Sequence, residues 1–189
     1  HPKDIADALT DATILVSVMY ANNEIGTIQD IREIAKVIRN FKKNKKTNTM
    51  FPYFHTDASQ AANYLPLNVL ELHTDLLTLD ASKIYGPKGI GLLFVRRGTH
   101  LQPIILGGGQ EEGRRSGTEN IPSIVGFAKA LSIVQSDKDK ESKRLFSLTS
   151  ILTDQILKKY PSAKLNGSLS NRLPNIVNVC FPNIDAEFA

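Results

Sequence analysis

Two stretches of this 189-residue chain carry residue types that could do chemistry together: His55-Thr56-Asp57-Ala58-Ser59-Gln60 and Asp80-Ala81-Ser82-Lys83-Ile84-Tyr85-Gly86-Pro87. The first sets an acid at the end of an expected strand, and the second sets a lysine at the end of the next. A lysine amine condenses with an aldehyde. A carboxylate held against a pyridine nitrogen keeps that nitrogen protonated, so the ring can absorb electrons. Lys83 and Asp57 are therefore the minimum kit for holding pyridoxal 5'-phosphate.

The surrounding sequence supplies the elements that must position them. Thr13–Met19 reads as a buried strand and Asn22–Thr27 as a loop. Asp30 caps a helix whose apolar residues, Ile31, Ile34, Ala35, Val37, Ile38 and Phe41, follow helical spacing. Phe51–Thr56 is a second strand, Ser59–Asn63 a short helix and Leu67–Leu72 a weaker helical stretch. Asp75–Leu79 and Gly91–Val95 are the third and fourth strands. This order predicts an α/β layer with a largely parallel sheet. The last two strands are too close for a helical crossover, so one antiparallel member is expected. Gly107-Gly108-Gly109 opens a mobile, charged loop through Thr118. A long helical region follows, with one apolar stripe at Ile124, Phe127, Ala128 and Leu131 and a second at Leu145, Leu148, Leu152 and Leu157. The charged run Ser136–Lys143 is expected to bridge the surface between them. After Pro161, Asn175–Phe181 reads as a strand opening a smaller domain. The expected organisation is residues 1–120, a connecting helical region 121–160, and the truncated start of a small domain, 161–189.

Composition sets the outer limits. Hydrophobic content of 41% and charged content of 22% are ordinary for a soluble globular protein. No apolar run approaches the roughly 18–20 residues of a membrane helix. The polar start His1-Pro2-Lys3-Asp4 has neither a signal peptide nor an initiator Met, and the end at Asp185–Ala189 reads as the first turn of a helix; both predict a piece of a longer chain. Net charge is +4, concentrated in Lys42-Lys43-Asn44-Lys45-Lys46. That cluster follows an amphipathic helix and lacks interleaved aromatics, so a solvated helix end suited to the negative pole of the helix dipole is expected, not a nucleic-acid surface. Cys180 is the one cysteine. No internal disulfide is possible, which fits a reducing, cytoplasmic setting. In an alternating strand, Cys180 is expected to be a small buried apolar residue.

Ligands of open α/β sheets bind outside the carboxyl ends of the strands. Asn22, Asp57, Gln60 and Lys83 all fall in successive strand-end loops. Alone, a strand-end Asp is usually a helix cap and a Lys is usually solvated, but four such positions point to a site. His55 within its strand is expected to be a packed or hydrogen-bonded core residue.

Four segments, Val16–Thr27, His55–Gln60, Lys83–Gly91 and Arg115–Thr118, carry a family likeness. From about Thr13 to Phe181 the sequence resembles the cysteine desulfurases, the NifS/IscS-like branch of the class V aminotransferase superfamily. The resemblance implies the fold type I large domain of pyridoxal-phosphate enzymes with the start of a small α+β domain. It makes Lys83 the cofactor-linked lysine and proton shuttle, and Asp57 the partner of the pyridine nitrogen. Gln60 donates to the phenolic oxygen. Asn22 lies near that oxygen and the substrate carboxylate. Thr118 reaches the phosphate of a neighbouring subunit in a homodimer. Tyr85-Gly86-Pro87-Lys88-Gly89 becomes a tight turn holding the lysine loop. Two positions depart from the family pattern: Ser82 replaces the His before the lysine, and Asp80 replaces a phosphate-binding Ser. Ser82 is expected to take over the phosphate contact, with Asp80 pointing away or paired with a cation. The family's N-terminal phosphate loop and ring-stacking residue, its nucleophilic cysteine loop and its substrate-carboxylate Arg cannot be placed here. The 189 residues alone are therefore expected not to turn over. The implied reaction converts L-cysteine to L-alanine, leaving a persulfide whose sulfur passes to an acceptor protein for iron–sulfur assembly or tRNA thiolation. Another class V aminotransferase, a selenocysteine lyase and a non-catalytic scaffold remain open as alternatives.

Overall fold

Ile31, Ile34, Ala35 and Ile38 recur at helical spacing, and in the computed structural model, which describes residues 1–44 and 50–185, they form the buried stripe of a helix. The chain runs helix α1 (Pro2–Ala8), strand β1 (Leu15–Met19), α2 (Ile31–Asn44), β2 (Tyr53–Asp57), α3 (Val69–Leu72), β3 (Leu76–Asp80), β4 (Gly91–Val95), α4 (Ile121–Lys159), β5 (Lys164–Leu165) and β6 (Val179–Cys180). Asp30 caps α2 as expected, its Oδ1 accepting the Glu33 N–H at 3.2 Å. α1 was not foreseen; its Ile5, with Leu9 just beyond it, packs against the core.

The main sheet has strand order β1-β2-β3-β4. β1–β2 and β2–β3 are parallel, while β3–β4 is antiparallel, as the short connection requires. The two parallel crossovers advance in the same direction, so their right-handedness puts α2 and α3 on one face. Val16, Val18, Phe54, Leu77 and Leu79 point to that face and pack with the α2 stripe and with Phe127, Ala130, Leu131 and Val134 of α4. Thr56, fully buried there, donates its hydroxyl to the Val18 carbonyl at 2.9 Å. The opposite face carries Leu15, Ser17, Met19, His55, Asp57, Thr78 and Leu93, of which Leu15, Ser17, Met19, Asp57 and Leu93 are exposed.

Several expectations are corrected. Ser59–Asn63 forms consecutive turns, closed by bonds such as Ala62 N–H to Ala58 O at 3.2 Å, not a helix. Phe51 and Pro52 precede β2 instead of opening it, and the weak helical stretch reduces to α3. The charged run Ser136–Lys143 lies inside α4, a single helix of 39 residues. Its Lys and Glu are good helix formers, and Arg144 closes two hydrogen bonds onto Glu141 one turn back, at 2.8 and 2.6 Å. Only Val179–Cys180 of the expected Asn175–Phe181 strand pairs, antiparallel with β5. The residues before it turn instead onto the Asn22–Ile28 loop: Asn178 donates to the Glu24 carbonyl at 3.2 Å. Cys180 is exposed, because the strand alternation turns Val179 inward and Cys180 out. Lys42 is not simply solvated: it pairs with Asp75 at 3.6 Å and lies 6.0 Å from the Tyr53 ring. Lys45 and Lys46 of that cluster lie outside the described residues.

Candidate active site

Asp57 ends β2 and is registered against Met19 of β1 and Thr78 of β3. Strand alternation places it on the sheet face opposite α2, at the carboxyl edge, and its side chain is exposed. One oxygen is committed locally, with Oδ1 accepting the Ser59 N–H at 2.9 Å. This turn closes the chain immediately after the strand and aims the carboxyl group along the edge.

One pleat below Asp57 on the same face, His55 joins three strands. Its Nδ1 shares a hydrogen bond with Ser17 Oγ at 2.7 Å, and its Nε2 shares one with Thr78 Oγ1 at 2.8 Å. Burial pushes the His55 pKa below its ordinary value, against a smaller upward pull from Asp57. The neutral ring donates from one nitrogen and accepts at the other, and either hydroxyl can answer each role. The expectation of a hydrogen-bonded core histidine is met.

β3 ends at Asp80, and Lys83 follows within a 3-10 turn, Ala81–Ile84. Asp80 caps that turn, its Oδ1 accepting the Ser82 N–H at 2.8 Å. The carboxylate is thus held by its own turn, which accounts for it without a cation. Tyr85 closes the other end in the left-handed region at φ 63°. The Lys83 side chain is exposed, and its carbonyl accepts from Asn63 Nδ2 at 2.7 Å. Gly86 has a packing reason: an added Cβ would lie 3.0 Å from the Ala81 carbonyl oxygen and 3.4 Å from Ala130 of α4. The lysine turn therefore sits directly on α4.

Asn22 follows β1 at the same edge. Its Oδ1 accepts the N–H groups of Glu24 and Ile25, both at 2.9 Å, and its Nδ2 lies 3.4 Å from the Met19 sulfur, a weak acceptor. Gln60 is half-buried in the turns after Asp57, and Ser82 is exposed beside Lys83. Parallel pairing brings Asn22, Asp57, Gln60, Ser82 and Lys83 to one edge of the sheet. Thr118 stands apart from that set in an exposed loop three residues ahead of α4. Asn63, Ser17 and Thr78 were missed in the sequence, since each partner lies 20 or more positions away and no local spacing marks it.

The cysteine desulfurase IscS of Dictyoglomus turgidum is 44% identical over 186 residues, covering 98% of this chain and 45% of that protein. Among solved structures, a NifS-like protein matches with a TM-score of 0.87 at 37% identity, over 97% of this chain and 48% of that one. SspA, solved in complex with cysteine, matches with a TM-score of 0.75 at 34% identity, over 97% and 48%. The chain spans about half the length of the curated relatives it matches. With the aminotransferase class-V model matching residues 1–188, the chain belongs to the class V aminotransferase family.

Proposed function

We propose that this chain is the lysine-bearing part of a pyridoxal 5'-phosphate-dependent cysteine desulfurase. The observation that carries the reading is the placement of Asp57 and Lys83 in the segments that end neighbouring parallel strands, both exposed at one carboxyl edge. The donor set fits the group. An aldehyde needs a primary amine, which Lys83 has. A pyridinium needs an adjacent carboxylate, and Asp57 has only Oδ1 committed to its own turn. Anionic oxygens of cofactor and substrate need N–H donors. Asn22 meets that need because its own oxygen is already spent on Glu24 and Ile25; Gln60 supplies a second amide.

When bound, the cofactor supplies an electron sink for the charge left on the substrate α-carbon. Lys83 binds it and, once displaced by the substrate amine, takes the α-proton and hands it on. Asp57 holds the ring-nitrogen proton. Ser82 donates to the phosphate, and Thr118 of a second copy does the same, which makes the working unit a homodimer. The net change breaks the Cβ–S bond of L-cysteine and forms an S–S bond to a protein thiol; Cβ gains the proton, giving L-alanine and a persulfide. The sulfur goes to an acceptor protein, for iron–sulfur assembly or tRNA thiolation, in the cytoplasm. The desulfurase names of the relatives and the cysteine bound to SspA support this substrate.

Adding the cofactor to the purified chain tests the reading. A visible absorbance band is expected, and borohydride is expected to fix the cofactor's mass on the peptide containing Lys83, with neither signal in Lys83→Ala. An unlabelled Lys83 in the parent chain refutes the assignment.

A further inference from the structure

The turn that carries Lys83 is braced by the loop that follows Asp57. Asn63 donates Nδ2 to the Lys83 carbonyl at 2.7 Å. The adjacent Tyr64 is buried, and Tyr85, two residues beyond the lysine, acts on its phenol electrostatically. Burial, then Tyr85, pushes the Tyr64 pKa up to about 12, so its phenol stays protonated. The same loop is fastened from behind, where Gln135 of α4 donates Nε2 to the carbonyls of Ala62 at 2.6 Å and Leu65 at 3.1 Å. A helix, a loop and the lysine turn thus form one connected chain of hydrogen bonds.

Asn63 is the expensive member. Its Oδ1 is buried with no hydrogen-bond partner among the described residues. Leaving such a group unsatisfied is destabilising. Turning the amide over would set Oδ1 against the Lys83 carbonyl and bury the donor instead, so the orientation is fixed by chemistry. An apolar side chain would avoid the cost, but it would leave the Lys83 carbonyl unanswered. Carbonyls at the end of a single helical turn have no partner within it, and Asn63 supplies that partner. The tether also originates in the loop that begins at Asp57, so it couples the position of the amine to that of the acid.

We propose that Asn63 is a positioning residue for Lys83, holding the lysine turn at a set distance from Asp57 so that amine and carboxylate address the same ring. This rests on the reading of Lys83 as the cofactor lysine. Small displacements of reacting groups carry large penalties, whereas the scaffold is also held where Gly86 packs on α4.

The test uses the full chain, pyridoxal 5'-phosphate as the probe, and two variants. Asn63→Leu removes the bond and the orphaned oxygen together while keeping the branched four-atom side chain, and Asn63→Asp sets a carboxylate against the Lys83 carbonyl. Three quantities are read: cofactor affinity, the pH midpoint of the visible band of the lysine-bound cofactor, and the melting temperature of the cofactor-free protein. Both variants are expected to bind at least about tenfold more weakly and to move the midpoint, with the cofactor-free melting temperature of Asn63→Leu close to the parent's. Parent-like affinity and midpoint in both variants overturn the proposal. Failure of both variants to fold without cofactor also overturns it, because Asn63 is then a scaffold residue. A parent chain that forms no adduct at Lys83 removes the reading underneath, and the Lys83→Ala control separates that outcome from the others.

Discussion

His55 shows how one side chain can serve the sheet and sense pH together. Its ring spans Ser17 of β1 and Thr78 of β3, so three strand ends are held in register beneath Asp57. Burial lowers its native pKa below the ordinary value near 6.5, while the unfolded chain keeps that value. Its contribution to stability is full above about pH 6.5 and falls as the pH drops below it, since the unfolded state then takes up a proton the native ring resists. Unfolding free energy measured between pH 8 and pH 5 is expected to decline, and His55→Gln is expected to flatten the decline. Part of the slope persists from His73, whose pKa is also lowered, by desolvation and then by Arg39, Arg96 and Arg32. Asp80 makes a second residue-scale case. Asn caps a helical turn about as well as Asp, so Asp80→Asn keeps the Ser82 bond while deleting a charge close to the expected phosphate contact. Its affinity for pyridoxal 5'-phosphate is expected to rise several-fold, with affinity for pyridoxal, which has no phosphate, unchanged. A parallel rise for both ligands would show that Asp80 does not face the phosphate.

At the scale of elements, α4 does two jobs along its length. Its first half packs Phe127, Ala130, Leu131 and Val134 against the sheet core. Further along, Leu145 joins a second cluster with Ala21, Tyr64 and Leu173, and Thr149 donates to the Pro174 carbonyl at 3.1 Å. The helix therefore backs the lysine turn and also ties the 166–178 segment to the Asn22 loop. Gly126 lets the turn approach. A Cβ there would lie 2.7 Å from Cγ of Pro87, whose ring has little freedom to yield. Replacing glycine by alanine in a helix ordinarily gains about 1 kcal/mol, whereas overpacking costs about 1–3 kcal/mol. The clash is expected to win, with Gly126→Ala lowering unfolding free energy by about 1 kcal/mol. Urea titration checks the sign, and a stabilised variant would mean that the turn can retreat from α4 without penalty.

The molecule as a whole is a sheet with one face largely covered, Leu92 near its β4 edge remaining 41% exposed. α2 and α4 bury the face carrying Phe54, Leu77 and Leu79, while Leu15, Met19 and Leu93 on the other face are 44–49% exposed. Asp57 opens onto that second face. Exposed apolar side chains of this kind bind hydrophobic dyes. The chain is expected to enhance the fluorescence of such a dye while fully folded, and Leu15→Lys with Leu93→Lys to reduce the signal with little change in melting temperature. Undiminished fluorescence would place the dye elsewhere. Among the described residues no helix is long and apolar enough to cross a membrane.

Periodicity and turn chemistry alone determined the layer type, the parallel core strands and the antiparallel β4, while the family likeness came from the resemblance of four short segments. Each depends on spacing within a few residues, which is why β4 was legible to the residue, as was the start of α2, capped by Asp30. The positions of Asp57 and Lys83 at strand ends were legible for the same reason. Tertiary structure decided the rest. Ser59–Asn63 has helix-compatible composition, yet it is drawn into turns where Gln135 and Lys83 claim its polar groups. Val179 and Cys180 pair only because a partner strand reaches them, and Cys180 faces outward because Val179 takes the inner side. The brace from Asn63 to Lys83 joins residues 20 positions apart. A contact of that kind is set by how two loops meet over a helix, which no local pattern encodes.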